Sequence, residues 1–280
     1  MKYQTLYLQE CFSVLQNLST TAFVTAYLPD NMTEIGQKNK KRPCLLICPG
    51  GGYAFCSQRE AEPIALHFLP EGFNVFVLNY SCAPHRFPTQ LCEVAAVMEL
   101  LYRNAAEWHC DTTRIAIMGF SAGGHLAAHY SNAYDCEDVR AIFPESKPVQ
   151  ASVLCYPVIT ADPQWAHLGS FDNLTGTQKR TPEEIERYSC DKQIRKQTPL
   201  AFLWHSAADT CVPVMNSLLY AQALASYSIP FELHVYPCGA HGLATCDEQT
   251  CEPLLPDAKY NHAWLDCAKR WLKRLFEKTD

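Results

Sequence analysis

Short apolar, β-branched or aromatic runs recur along the chain, separated by stretches whose apolar residues return every three or four positions. Ala22–Leu28, Cys44–Cys48, Phe73–Tyr80, Arg114–Met118, Ala151–Tyr156, Leu200–His205 and Phe231–Tyr236 predict strands. Several of them, such as CLLIC and ASVLCY, are unbroken apolar runs, which suits strands covered on both faces. Between them, Ala61–Leu69, Gln90–Trp108, Ala122–Tyr134, Val214–Tyr227 and Ala258–Phe276 carry helical spacing. Strand and helix in alternation predict an α/β fold with a mostly parallel central sheet flanked by helices. The opening strands, before the first helix, are free to pair antiparallel at one edge. One domain over residues 1–280 accommodates the whole pattern.

Residues 160–198 break the rhythm. They form a polar, irregular stretch longer than ordinary connections. Within it, Thr181-Pro182-Glu183-Glu184 opens a short helix, with Thr as cap, Pro in the first position and acids in the first turn. The stretch reads as a cap-like insertion over a site.

Composition narrows the function classes. A chain of 280 residues that is 48% hydrophobic and 19% charged is neither disordered nor collagenous nor a coiled coil. Its net charge of −6 leaves no electrostatic footprint for nucleic acid or an anionic membrane, and Lys38–Arg42 is a solvated loop. Ile115–Tyr134 lacks Asp, Glu, Lys and Arg over the length of a spanning helix. Its Gly119, Ser121, Gly123, Gly124, His125 and His129 instead suit a buried strand that turns into a helix. Gln4, Gln9, Glu10 and Gln16 interrupt any signal-peptide core at the N-terminus, so a reducing, cytoplasmic setting is expected. The 15 cysteines are then mostly small buried hydrophobes. With no C-x-x-C pair and no H-E-x-x-H, no metal or other cofactor is expected.

Candidate chemistry concentrates at strand ends. Gly119-Phe120-Ser121-Ala122-Gly123 fits G-x-S-x-G between a predicted strand and a predicted helix. A serine at such a tight turn is pushed above the sheet edge, and small residues on either side let neighbouring elements approach. Pro49-Gly50-Gly51-Gly52 ends an earlier strand and lacks the ending of a phosphate-binding loop. The N–H groups of Gly51 and Gly52, with that of Ala122, suit an oxyanion hole. A serine nucleophile needs a base and an orienting acid after it in the chain. His241, in a loop after the last strand, is the candidate base. Asp209, in the loop after Leu200–His205, is the candidate acid, ahead of Asp162 and Asp172. His205 and His234 read as satisfied core histidines, whereas His125 and His129 point along their helix. Tyr53, Phe55 and Trp165 are candidate substrate contacts, and Arg59 with Glu60 and Glu62 reads as a structural ion-pair cluster.

On these residues the chain resembles an α/β-hydrolase of the esterase/lipase superfamily from about Ala22 onward. It is most similar to the small carbohydrate-esterase branch that contains acetylxylan esterases. Ser121, Asp209 and His241 fall on that superfamily's triad positions and Pro49–Gly52 on its oxyanion loop, where hormone-sensitive-lipase-like relatives carry His in place of Pro49. The resemblance implies a serine esterase acting on a small-molecule ester, with an acetylated oligosaccharide as the candidate substrate. Two other readings stand beside it. One is a serine peptidase of the prolyl-oligopeptidase kind, for whose extra propeller domain 280 residues leave no room. The other is a non-catalytic binding protein on the same fold, against which an intact triad argues.

Overall fold

The computed structural model describes residues 1–277. Eight strands form one sheet: β1 (Lys2–Tyr7), β2 (Phe23–Leu28), β3 (Arg42–Cys48), β4 (Asn74–Asn79), β5 (Cys110–Phe120), β6 (Ala151–Cys155), β7 (Leu200–Ser206) and β8 (Phe231–Tyr236). Their order is β1-β2-β4-β3-β5-β6-β7-β8. β1 and β2 pair antiparallel, as do β2 and β4, and every later pair is parallel. This is the predicted parallel sheet with an antiparallel edge.

The interior strands β3 to β7 are buried almost end to end because helices cover both faces. One apolar cluster includes Leu46, Phe76, Ile117, Leu126, Leu154 and Leu203. The other, on the opposite face, includes Leu45, Val75, Met118, Val153, Phe202 and Trp264. Alternate residues of each strand thus feed opposite layers, as a pleated backbone requires.

Differences from the sequence reading lie at edges and breaks. β1 was not distinguished as a strand because an edge strand needs only a weak pattern: Tyr3 and Tyr7 stay largely exposed beside β2. β8, the other edge, is half-exposed, so His234 pairs with Glu232 at 2.7 Å and is not a core residue. The long C-terminal helix is two, Pro256–Asn261 and Ala263–Phe276, parted at His262. In the insertion, Leu168–Thr175 and Pro182–Tyr188 are helical. Thr181 caps the second, accepting from Glu184 N–H at 3.3 Å while the Glu184 side chain accepts the Thr181 N–H at 2.8 Å. All 15 thiols are free, eight of them buried. Among the described residues no helix is long and apolar enough to cross a membrane.

The parallel strands β3, β5, β6, β7 and β8 end on one side of the sheet. There each releases a loop: Pro49–Gly52, Ser121, Tyr156, Asp209 and His241 respectively. Ligands of open α/β sheets bind outside these carboxyl ends.

Candidate active site

β5 runs straight into the helix Ser121–Ala133, and the turn between them is abrupt. Phe120 is extended (φ −116°, ψ 132°), whereas Ser121 has φ +52°, in the left-handed region that costs a residue with a Cβ about 1–2 kcal/mol. Gly123 explains how the turn fits. A Cβ there would stand 2.7 Å from the Cys48 carbonyl carbon, with the Cys48 and Pro49 oxygens nearer still. The Ser121 turn and the Pro49–Gly52 loop therefore touch backbone to backbone.

Ser121 Oγ lies 2.8 Å from His241 Nε2, and His241 Nδ1 lies 2.6 Å from Asp209 Oδ2. A carboxylate only accepts, so Nδ1 carries the proton and Nε2 is left to accept the serine hydroxyl. The other Asp209 oxygen accepts the Cys211 and Val212 N–H groups, both at 2.9 Å. Burial alone pushes the Asp209 carboxyl up. The His205 and His241 hydrogen bonds, the attraction of His241 when it is protonated and the Val212 N–H outweigh it, holding the carboxyl well below the usual carboxylate range. His205 is fully buried, as expected of a core histidine. It also stands 3.4 Å from Asp209 Oδ2, while its Nε2–H is given to the Val212 carbonyl at 2.9 Å. Sequence reading had not linked it to the acid.

Opposite the serine, Gly51 (φ +124°) and Gly52 (φ +64°) are in conformations that side chains resist. Their N–H groups have no partner among the described residues, while the Gly51 carbonyl accepts Ala54 N–H at 3.0 Å. The loop is tied from outside: Tyr80 Oη donates to the Pro49 carbonyl at 2.7 Å, Glu60 accepts Gly50 N–H at 2.8 Å and Asn173 Nδ2 donates to the Gly52 carbonyl at 2.8 Å. Gly51 and Gly52 line the same cleft as Ser121, and Ala122 follows Ser121 in the first turn of the helix.

A cleft of about 780 Å³ opens over Ser121, lined among others by Phe55, Arg59, His167, Asn173 and His241. Phe55 faces it and is 61% exposed. Two expected contacts do not. Tyr53 is 1% exposed, its hydroxyl 2.8 Å from His125 Nδ1, because its positive φ (+59°) swings the side chain inward beneath the loop. Trp165 is half-buried outside the lining, its carbonyl holding the Asn216 side chain at 2.9 Å. The insertion instead presents His167 and Asn173, which neither motif nor spacing marked. The expected ion-pair cluster is also absent among the described residues: Arg59 reaches the Thr250 carbonyl at 3.5 Å, Glu62 accepts the Tyr27 hydroxyl at 3.0 Å, and Glu60 turns inward. No cluster of three or more His, Cys, Asp or Glu side chains suited to a metal ion occurs among the described residues.

The BD-FAE family model matches residues 27–224, most of the chain and all of the loop and elbow region. The chain belongs to the BD-FAE family. It is an α/β-hydrolase of the esterase/lipase group, in the acetylxylan-esterase-like branch. Among curated relatives, endo-1,4-beta-xylanase B of Butyrivibrio fibrisolvens is 34% identical over 80% of this chain and 36% of its own length. An acetylxylan esterase of Xylanibacter ruminicola is 33% identical over 73% of this chain and 42% of its own. The chain thus spans less than half the length of these two relatives. Among solved structures, a carboxylesterase of Lactobacillus plantarum superposes with a TM-score of 0.82 at 27% identity, covering 98% of both chains. The acetyl ester-xyloside bifunctional hydrolase of Caldicellulosiruptor lactoaceticus gives 0.78 at 33% identity, over 91% of this chain and 88% of that one. A BD-FAE member therefore has close structural company at both ends of its sequence.

Proposed function

We propose that this chain is a serine carboxylic-ester hydrolase that removes short acyl groups, acetyl above all, from a soluble carbohydrate through an acyl-enzyme. The carrying observation is the continuous chain Ser121 Oγ, His241, Asp209, with links of 2.8 and 2.6 Å. Ser121 attacks the ester carbonyl while His241 Nε2 takes its proton. Asp209 holds the imidazole in the accepting tautomer and favours the imidazolium that forms. The Gly51, Gly52 and Ala122 N–H groups stabilise the oxyanion. The imidazolium then protonates the leaving alkoxide, and water activated by the same imidazole releases the acid. For the alcohol half, His167, Asn173 and Arg59 supply polar groups and Phe55 an aromatic face to a cleft otherwise lined largely by small and apolar groups, a combination that suits stacking and hydrogen bonding of a sugar ring. The names of the xylan-directed relatives point the same way.

The test is a fluorophosphonate probe followed by peptide mapping, with Ser121→Ala as partner. An adduct on Ser121, and a folded variant that has lost activity by several orders of magnitude, are expected. An adduct elsewhere, or an active Ser121→Ala protein, would falsify the assignment. A panel of acetylated xylo-oligosaccharides and dipeptide anilides checks the substrate class, and preference for the anilides moves the chain to the peptidase reading.

A further inference from the structure

Behind the cleft, three segments far apart in sequence meet on one buried carboxylate. Glu60 is 3% exposed. Its Oε2 accepts the Gly50 N–H at 2.8 Å and its Oε1 the Tyr156 hydroxyl at 2.7 Å. The Tyr156 oxygen in turn accepts the Ala244 N–H at 3.0 Å, just beyond His241 in the chain. The Tyr156 ring also stands edge-on to the imidazole, with centroids 5.0 Å apart. Gly50 belongs to the oxyanion loop, Tyr156 follows β6 and Ala244 lies in the histidine loop.

The backbone donors fix two links of this chain. Backbone N–H groups can only donate, so Gly50 donates to Glu60 and Ala244 donates to Tyr156. The tyrosine hydrogen then goes to Glu60. Both carboxyl oxygens then accept, and the ionised group satisfies all three donors; a protonated one that donated to Tyr156 would leave the tyrosine hydrogen without an acceptor. Among the described residues no cation pairs with it, and Arg59 turns to the Thr250 carbonyl. An unpaired buried anion is costly to keep. The one neighbour that gains positive charge during turnover is His241.

We infer that Glu60 is a positioning residue of the reaction. Its carboxylate ties the oxyanion loop and the histidine loop to one point, and its charge favours the His241 imidazolium that forms as Ser121 is deprotonated. The inference rests on the serine-hydrolase reading above. Because the resting imidazole is neutral, the charge acts on the transition state more than on the bound substrate. Other titratable or charged groups facing the pair are Asp209, Ser121 and His167 at the imidazole, and Tyr156, Cys155 and Arg59 at the carboxylate. Burial pushes the Glu60 carboxyl above the usual carboxylate range, and Tyr156, Gly50, His241 and Arg59 offset only part of that rise.

The experiment is Glu60→Gln, assayed with p-nitrophenyl acetate across pH. An amide accepts at only one atom, so either Gly50 N–H or the Tyr156 hydroxyl loses its acceptor. We expect kcat to fall ~10-fold or more, as small displacements in a reacting site do, with KM little changed. The acid limb of kcat/KM should move to lower pH, because an imidazole without a nearby anion is harder to protonate. Fluorophosphonate mapping of the wild type comes first. Without an adduct on Ser121 the underlying reading fails; with one, a Glu60→Gln enzyme of wild-type kcat and acid limb overturns the role of Glu60 alone. A fall in kcat with an unmoved acid limb reduces Glu60 to a strut and overturns the electrostatic claim. If Glu60→Gln does not fold, Tyr156→Phe decides, since it keeps the ring and the Glu60–Gly50 bond. A kcat ~10-fold down is expected, and wild-type kcat overturns the inference.

Discussion

Gly123→Ala separates the closeness of two backbones from the stability of the fold. The new Cβ would sit 2.7 Å from the Cys48 carbonyl carbon, roughly 1 Å inside the ~3.5–4.0 Å at which carbons pack. Both partners are backbone, so no side chain can swing aside. The helix Ser121–Ala133 must retreat from the strand end that continues into Pro49–Gly52. A retreat of about 1 Å between a nucleophile and its oxyanion donors removes on the order of 10²-fold from kcat. Stability moves less. Overpacking costs about 1–3 kcal/mol, but alanine in place of glycine in a helix returns up to ~1 kcal/mol. The net loss, about 0–3 kcal/mol, lowers Tm by several degrees at most in a chain of this size. Steady-state kinetics on p-nitrophenyl acetate, with a thermal melt of the same sample, reads both numbers. Gly36→Ala is the control: its φ of +74° strains a side chain in a turn with nothing within 4 Å, so it lowers Tm and leaves kcat alone. A folded Gly123→Ala protein with wild-type kcat would refute the argument that this backbone contact sets the geometry of the hole.

Asp209→Asn should lower kcat by ~10⁴-fold, since an amide that donates to His241 Nδ1 selects the wrong tautomer; a folded variant within tenfold of wild type would show that another acid serves. Its carboxyl is held below the usual range, so the stability it confers is complete above about pH 4 and is lost only as pH falls further. Buried His125 and His129 act at higher pH: burial lowers them to about 4 and about 3, so they stay neutral in the fold while an unfolded histidine protonates near ~6.5. Stability must therefore fall as pH drops from about 6.5 towards 4. His129→Phe, which keeps the stack on Phe87, should cut the loss in urea stability between pH 7 and 4.5 by on the order of 2 kcal/mol, and an unchanged loss would contradict the assignment. In a chain-length series, p-nitrophenyl acetate should outpace octanoate and longer esters, whereas a maximum at long chains would reveal an apolar tunnel.

What was legible in the sequence is what one segment decides by itself. A buried parallel strand must be apolar on both faces, so CLLIC and ASVLCY announced β3 and β6. The strained turn at Ser121 needs glycine two positions away on either side, so its motif is local and readable. His241 and Asp209 followed from chain order and from their loops after β8 and β7. Tyr53 failed because nearness in sequence to the oxyanion loop does not fix the side of the loop it leaves from. A backbone φ of +59° turns it towards His125. Glu60 was misread for the complementary reason. Next to Arg59 and Glu62 it looks like a surface charge, and only Gly50, Tyr156 and Ala244, brought in by three separate strands, make it an interior anion.

The insertion shows the same logic acting on specificity. Its polar composition gave no fold of its own, yet it is fastened from both ends of the elbow helix. His125 Nε2 gives its hydrogen to the Tyr188 carbonyl at 2.8 Å, and Asn132 Nδ2 donates to the Cys190 carbonyl at 3.0 Å. Cys190 N–H closes on the Ile159 carbonyl at 2.9 Å, and Asn173 holds the Gly52 carbonyl. Most of these bonds are buried, where leaving a partner unpaired costs about 1–3 kcal/mol. Opening the segment as a lid would break several together. We therefore expect the segment to stay in place during turnover and activity to show no interfacial activation. A lipase lid needs a contiguous apolar face to exchange for a lipid surface, and here that face is replaced by His167 and Asn173. The same hydrogen bond from Asn173 that makes the wall polar also steadies the oxyanion loop. Under the proposed function, Asn173 would bear on both the choice of alcohol and the oxyanion, and Asn173→Ala is expected to change both KM and kcat.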